Sequence, residues 1–267
     1  MTDRTANANS TPVTGPPSAQ KAGLAPRPGT VIRPFSPADR QAVRDICCRT
    51  AFRGLGSDRM FEDREVHADY WTRYYTDFRP EEAFVVVQGG EVIGYFFGCS
   101  DHAHFLRVMT WRIVPSCLIR ALWRQAMGKY QNPASRAYLR HMLLRGPAEA
   151  PKIDTRHYPA HYHCNLLRKG YGQGLYTQLT LAFLDRLEAQ GITALHGHIT
   201  EPAEGGMWLK LDTLFPAEHR TYHRDEVPTT LFQAVLGDTR PMVNRVWGVS
   251  VPNYRLWIEW VRKTYRL

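Results

Sequence analysis

The stretch that most constrains this chain runs without a break from His161 to His198. Its opening run, HYHCNLL, sets His161, His163 and Asn165 two residues apart, the spacing of one face of a strand. The turn Tyr171-Gly172-Gln173-Gly174-Leu175-Tyr176 follows. Beyond it, LYTQLTLAFLDRLEAQG lines Leu175, Leu179, Phe183, Leu184 and Leu187 along one helical face, and Gly191 stops the helix. ITALHGHIT then reads as a second strand, with His196 and His198 again two apart. Strand, glycine loop, helix and strand form a βαβ unit, which requires the two strands to run parallel. A helix that opens from two glycines presents unpaired N–H groups and the positive end of its dipole. That is an anion site, and it suits a pyrophosphate.

The rest of the chain supplies the partners for this unit. TVIRPF predicts a first strand, and Ser36-Pro37 predicts the N-cap of a helix carrying Val43, Ile46 and Cys47. DREVHADYWTRYY predicts a second helix with Val66, Tyr70, Trp71, Tyr74 and Tyr75 on its buried face. AFVVVQGGEVIGYFFG is a hairpin about Gly89-Gly90. Residues 101–150 form a helical insertion of two helices, the second capped at Asn132-Pro133. Strands near TTLFQAV and NRVWGVSV and a last helix over YRLWIEWVRKTY complete the chain. The first 29 residues, rich in Thr, Pro, Ala, Gly and Asn, read as a mobile leader before one domain over 30–267. The order of elements is mixed α/β.

A 43% hydrophobic fraction supports a full core, and no window approaches a membrane span. Five cysteines without a C-x-x-C pair fit a reducing, cytoplasmic setting and argue against zinc held by thiolates. The net charge of +9 points to an anionic partner. Residues 101–150 hold eight Arg and Lys against two acids, so most of the excess lies in the insertion. Its first helix combines Leu118, Ile119, Leu122, Trp123, Ala126 and Met127 with Arg120, Arg124 and Lys129. Two readings stay open: an anionic membrane surface met peripherally through residues 105–145, or a helical lid over the sheet. No helix-turn-helix, zinc-finger or RNA-recognition signature accompanies the charge, and nucleic acid is not expected.

In the strand HYHCNLL, the loop YGQGLY, the helix TQLTLAFLDRLEAQG and the strand LHGHI, the sequence resembles the GCN5-related N-acetyltransferase (GNAT) superfamily. The resemblance spans residues 30–215 in element order, and its specific part is the stretch from His161 to His198. It implies a mixed central sheet with splayed parallel strands, flanking helices, and acetyl-CoA or a longer acyl-CoA as co-substrate. It places the cofactor contacts at Leu166, Leu167, Tyr171, Gly172, Gln173, Gly174, Leu175 and Tyr176. Tyr171 stands where the family keeps Arg or Gln, and Tyr176 where it keeps a small residue. Tyr176 therefore either crowds the phosphates or supplies a hydroxyl. Lys210 falls near the position where a tyrosine acid often sits.

Acyl transfer to an amine needs a base for the amine and a proton for the leaving thiolate. The paired histidines supply bases, His163 and His198 first and His161 next; Lys210 and Tyr176 supply acids. Glu201 and Glu204 are further acid/base candidates with surface exposure as their default. Histidines at this spacing also ligate metals, but no carboxylate or thiolate set accompanies them, and the pattern assigns no metal. The function expected is acyl-CoA-dependent N-acylation of a primary amine, with a long acyl chain and an amphiphilic, sphingoid-base-like amine if the insertion meets lipid. Acetylation of a small polar amine and a non-catalytic GNAT-like binding module are the alternatives.

Overall fold

The computed structural model describes residues 25–206, 208–209, 215–217 and 222–265. Its strands fall into two antiparallel sheets. The first has the order β1-β2-β3-β4, from Thr30–Pro34, Ala83–Gln88, Glu91–Cys99 and His161–Leu166. The second has the order β5-β7-β6, from Ala194–Pro202, Tyr222–Thr229 and Met242–Ser250, with β7 in the middle. The β2–β3 hairpin turns at Gly89 and Gly90, both at positive φ, as a tight two-residue turn requires.

Among the described residues, one backbone bridge joins the sheets. Ala160 and Leu195 form a parallel bridge, and the His196 amide donates to the Ala160 carbonyl at 2.8 Å. Past this point no ladder connects β4 to β5, so the two parallel strands diverge. The βαβ unit read from the sequence is therefore present, opened into a splay.

Helices cover both faces. The helices α1 (Arg40–Gly54) and α2 (Arg64–Arg73) pack on one core with Val85, Tyr95 and Phe97 of the first sheet. On the opposite face, α6 (Leu175–Ala189) and the C-terminal helix Val251–Tyr265 share a core with Phe96, Leu195 and Trp247. The buried face of α6 carries the five residues its periodicity predicts, and Gly191 ends it at positive φ. The α2 face differs from expectation. Val66, Tyr74 and Tyr75 are buried as expected, but Tyr70 and Trp71 are 36% and 44% exposed, and Asp69 and Thr72 take their place in the buried stripe.

The insertion forms three helices rather than two: α3 (His102–Val108), α4 (Val114–Ala126) and α5 (Pro133–Leu144). A widened π turn at Met109–Ile113 separates the first pair, next to Pro115, which lacks the N–H needed to continue a regular ladder. Asn132 caps α5 by accepting from the Ala134 amide at 2.9 Å. Arg120 and Arg124 of α4 are only partly exposed. They pair inward with Asp69 and Asp63 of the α2 region at 2.5 and 2.6 Å. The apolar residues thereby turn outward: Ile119, Trp123 and Met127 are 68%, 59% and 57% exposed.

The run LFQAVL, read as strand, is a helix over Leu231–Leu236, stopped by Gly237 at positive φ. The strand lies just before it, in the polar segment Tyr222–Thr229, where β6 forms a sheet edge.

Candidate active site

The glycine loop is built from β4 outward. After Leu166 a single turn, Arg168–Gly170, brings the chain to Gly172 and Gly174, whose φ values are +72° and +65°. Left-handed backbone at two alternate residues points the intervening amides to one side, a concavity that accepts anions. Among the described residues, the amides of Gly172, Gln173 and Gly174 donate to no protein acceptor. Gly174 is the N-cap of α6, so the first amides of that helix add to the same donor set. Arg168 is exposed beside the loop, while Lys169 pairs with Glu91.

The eight residues assigned to the cofactor divide into three groups. Gly172 and Gly174 shape the concavity, and Tyr171, 62% exposed, stands clear of it. Leu167 and Leu175 are core residues, the Leu167 amide being bound to the Ile93 carbonyl at 2.8 Å; Leu166 packs half-buried against Gly94. Gln173 is 2% exposed and turns its side chain inward. Its Oε1 accepts from the Arg27 amide at 2.9 Å, and its Nε2 donates to the Lys169 carbonyl at 2.6 Å. This amide latches the loop to the segment leading into β1.

Tyr176 directs its hydroxyl away from the loop. It meets Tyr162 of β4 at 2.5 Å and Tyr254 of the C-terminal helix at 3.1 Å, and Tyr162 meets Tyr254 at 2.6 Å. Burial raises the pKa of all three, that of Tyr162 and Tyr254 well above the ordinary phenol range, so each phenol keeps its proton. They stand on the α6 side of β4.

The imidazoles stand on the other side. His161 and His196 approach to 5.2 Å between ring centres across the apex of the splay, and His196 and His198, neighbours on β5, to 5.5 Å. His102, at the start of α3, completes the group with its Nδ1 3.1 Å from the His161 Nδ1. His163 sits further along β4 against Trp71 and Tyr95, its Nε2 accepting from Asn165 at 3.1 Å. Burial lowers His163 and His102 to about 4, with repulsion from His196 and His198 adding to the effect at His102. Burial and the surrounding imidazoles push His161 well below its ordinary value. His198 reaches solvent at the edge of this recess, where the enclosing protein and then His196 hold it near 4. All are neutral at pH 7.

The remaining candidates separate cleanly. Lys210 lies outside the described residues. Glu201 is 1% exposed and ion-paired with Arg245, and so is a buried structural group rather than a surface acid; Glu204 is exposed. Reading the sequence missed His102, Tyr162, Tyr254 and Trp71. Of these only Tyr162 had a local signal, its alternate phase on the strand that carries the histidines.

No family model matches the sequence. Among solved structures, a crystal structure of SsHAT is 27% identical, covers 84% of this chain and 99% of its own, and superposes with a TM-score of 0.53. The splayed β4–β5 pair, the glycine loop at the N-terminus of α6 and this overall likeness point the same way. The fold is GNAT-like. More distant likenesses are an N-acetyltransferase from Staphylococcus aureus Mu50, at 12% identity and a TM-score of 0.45 over 83% of this chain and 98% of that one. A Drosophila melanogaster polyamine N-acetyltransferase follows, at 10% and 0.46 over 83% and 99%. Within this GNAT-like fold the loop fits a CoA pyrophosphate in its donor set, with free amides, a helix N-terminus and one exposed arginine.

Proposed function

We propose that this protein is an acyl-CoA-dependent N-acyltransferase acting on a primary amine by direct attack on the thioester. One observation carries the reading. The β4–β5 splay separates a bank of neutral imidazoles on one face from a cluster of protonated phenols on the other, with the phosphate-type loop at the end of β4. A thioester entering from the loop side and an amine from the opposite side would meet between proton acceptors and proton donors.

In this reading His198 relays the ammonium proton to solvent, because its ring is neutral, is exposed and, with its pKa lowered to about 4, passes a proton on rather than holding it. His163 lines the same face. Both nitrogens of His161 face neighbours, Tyr75 and His102, which makes it a positioning residue. The amine nitrogen bonds to the acyl carbon, the C–S bond breaks, the Tyr176–Tyr162–Tyr254 cluster supplies the proton that the thiolate takes up, and the second N–H proton shed by the acylated nitrogen returns the cluster to its protonated state. Lys210 is assigned no step.

A second observation favours an amphiphilic amine and a long acyl chain. The outer face of the insertion exposes Trp111 at 77%, Trp123 at 59% and Leu144 at 68%. Around them Arg107, Arg112, Lys129, Arg136, Arg140 and Arg145 are exposed; among the described residues, the ion pairs of the insertion are those of Arg120, Arg124 and His141. An apolar face ringed by unpaired cations suits an anionic bilayer surface. No helix among the described residues is long and apolar enough to cross a membrane.

Thiol release from acetyl-CoA and palmitoyl-CoA, measured with a small polyamine and with a sphingoid base, tests both parts. Amine-dependent release supports acyl transfer, and preference for palmitoyl-CoA with the sphingoid base supports the membrane reading. Preference for acetyl-CoA with the polyamine overturns the amphiphile assignment. Silence with every pair leaves a non-catalytic binding module and overturns the whole.

A further inference from the structure

We propose that His102, His161 and His196 form a site for one divalent transition-metal ion of the zinc class, at the apex of the β4–β5 splay. The proposal is independent of the acyl-transfer reading. It also departs from the sequence pattern, which assigned no metal because no carboxylate or thiolate set accompanies the paired histidines; the third ligand, His102, lies 59 residues before His161.

Each of the three residues brings a ring nitrogen within 4.8 Å of the others. The two Nδ1 atoms of His102 and His161 are 3.1 Å apart. Two imidazole nitrogens on a tetrahedral zinc ion, each with a bond of 2.0–2.1 Å, stand about 3.3 Å apart. The third ring nitrogen lies within 4.8 Å of both and would close on the same centre when an ion binds. The rings are 8%, 8% and 1% exposed.

The backbones that carry them are fixed to one another. The His102 amide donates to the Pro159 carbonyl at 2.9 Å, and the His196 amide donates to the Ala160 carbonyl at 2.8 Å. His161 is paired with Cys99 in the β3–β4 ladder. Two of the three outer nitrogens are engaged as the outer nitrogens of ligating histidines usually are. His161 Nε2 meets the Tyr75 hydroxyl at 3.0 Å, and His196 Nδ1 donates to the Tyr158 carbonyl at 2.7 Å, which leaves the His196 Nε2 lone pair free. An all-imidazole set selects zinc, cobalt, nickel or copper over calcium or magnesium. Three protein ligands leave a fourth position for water. An ion here would tie α3, β4 and β5 together at the Ala160–Leu195 bridge between the two sheets.

The competing account is a hydrogen-bonded trio of buried histidines. The test uses the full chain stripped with chelator and dialysed, then titrated with zinc chloride by calorimetry. Binding of one zinc per chain is expected, with a melting temperature raised by roughly 5 to 10 °C at a hundredfold excess over Kd. His102→Ala and His196→Ala should each weaken binding at least about tenfold, as loss of one of three ligands does, while His157→Ala, an exposed histidine outside the cluster, should not. Cobalt loaded into the unaltered chain should give the intense visible absorption of a tetrahedral site, which needs no variant to fold. Absence of stoichiometric zinc binding and of that cobalt spectrum overturns the site, as does zinc affinity unchanged in a folded His102→Ala chain.

Discussion

The inward latch of Gln173 offers the sharpest perturbation of the loop, because it sets the backbone without facing a ligand. Gln173→Ala removes two well-formed bonds, from the Arg27 amide at 2.9 Å and to the Lys169 carbonyl at 2.6 Å. It also removes two longer approaches, from Thr30 and Gln88 at 3.4 Å each. Each good bond contributes about 1 kcal/mol net, and an orphaned buried partner adds about 1 kcal/mol more. The expected loss is therefore about 2 to 4 kcal/mol, or a fall in melting temperature of roughly 5 to 10 °C for a domain of this size. The functional consequence is separate. With the latch gone, the amides of Gly172 to Gly174 lose their fixed orientation, so KM for the thioester should rise about tenfold with kcat nearly unchanged, the pattern of lost uniform binding. Thermal unfolding and initial rates of thiol release on one preparation read both quantities. A melting temperature lowered as stated with an unchanged KM would refute the claim that the latch shapes the anion site.

Tyr254→Phe removes one hydroxyl from the phenol cluster at nearly constant volume and should lower kcat about tenfold or more with little change in KM; an unaltered kcat contradicts a role on the thiolate side. Glu201→Gln leaves the buried Arg245 facing only the partly exposed Glu226, and should destabilise by about 3 kcal/mol or more in denaturant unfolding. Asp39, held at about 2 chiefly by its double hydrogen bond to Arg33, titrates near 3.9 when unfolded. Its stabilisation is present above pH ~4 and lost as pH falls towards about 2, and screening at the exposed Arg33 limits it to about 1–2 kcal/mol. Asp39→Asn should flatten that limb of the stability–pH curve, which urea unfolding between pH 2 and 5 would reveal.

How legible these features were depended on how local their physics is. The strand, the glycine turn and α6 could be read because each carries its own periodicity or φ demand within a few residues. The same locality exposed the β2–β3 hairpin at Gly89-Gly90. LFQAVL misled because six apolar-rich residues fit a strand and a short helix equally well, and the polar β6 beside it hid because an edge strand has little to bury. The site was half visible. Its histidines on β4 and β5 share a face by simple alternation. The phenol cluster, by contrast, draws on Tyr162, Tyr176 and Tyr254 from three elements, and His102 comes from the insertion. Only tertiary packing brings them together. The same holds for Arg120 and Arg124, whose inward ion pairs reverse the amphipathic face that α4 shows in sequence.

Calorimetric titration of the chain with acetyl-CoA and palmitoyl-CoA, followed by thiol release in the presence of amine, tests the central claim most directly. The account predicts one thioester bound per chain and release of free CoA that depends on the amine. Failure to bind either thioester, with no thiol released from the metal-free or the zinc-loaded protein, would contradict it.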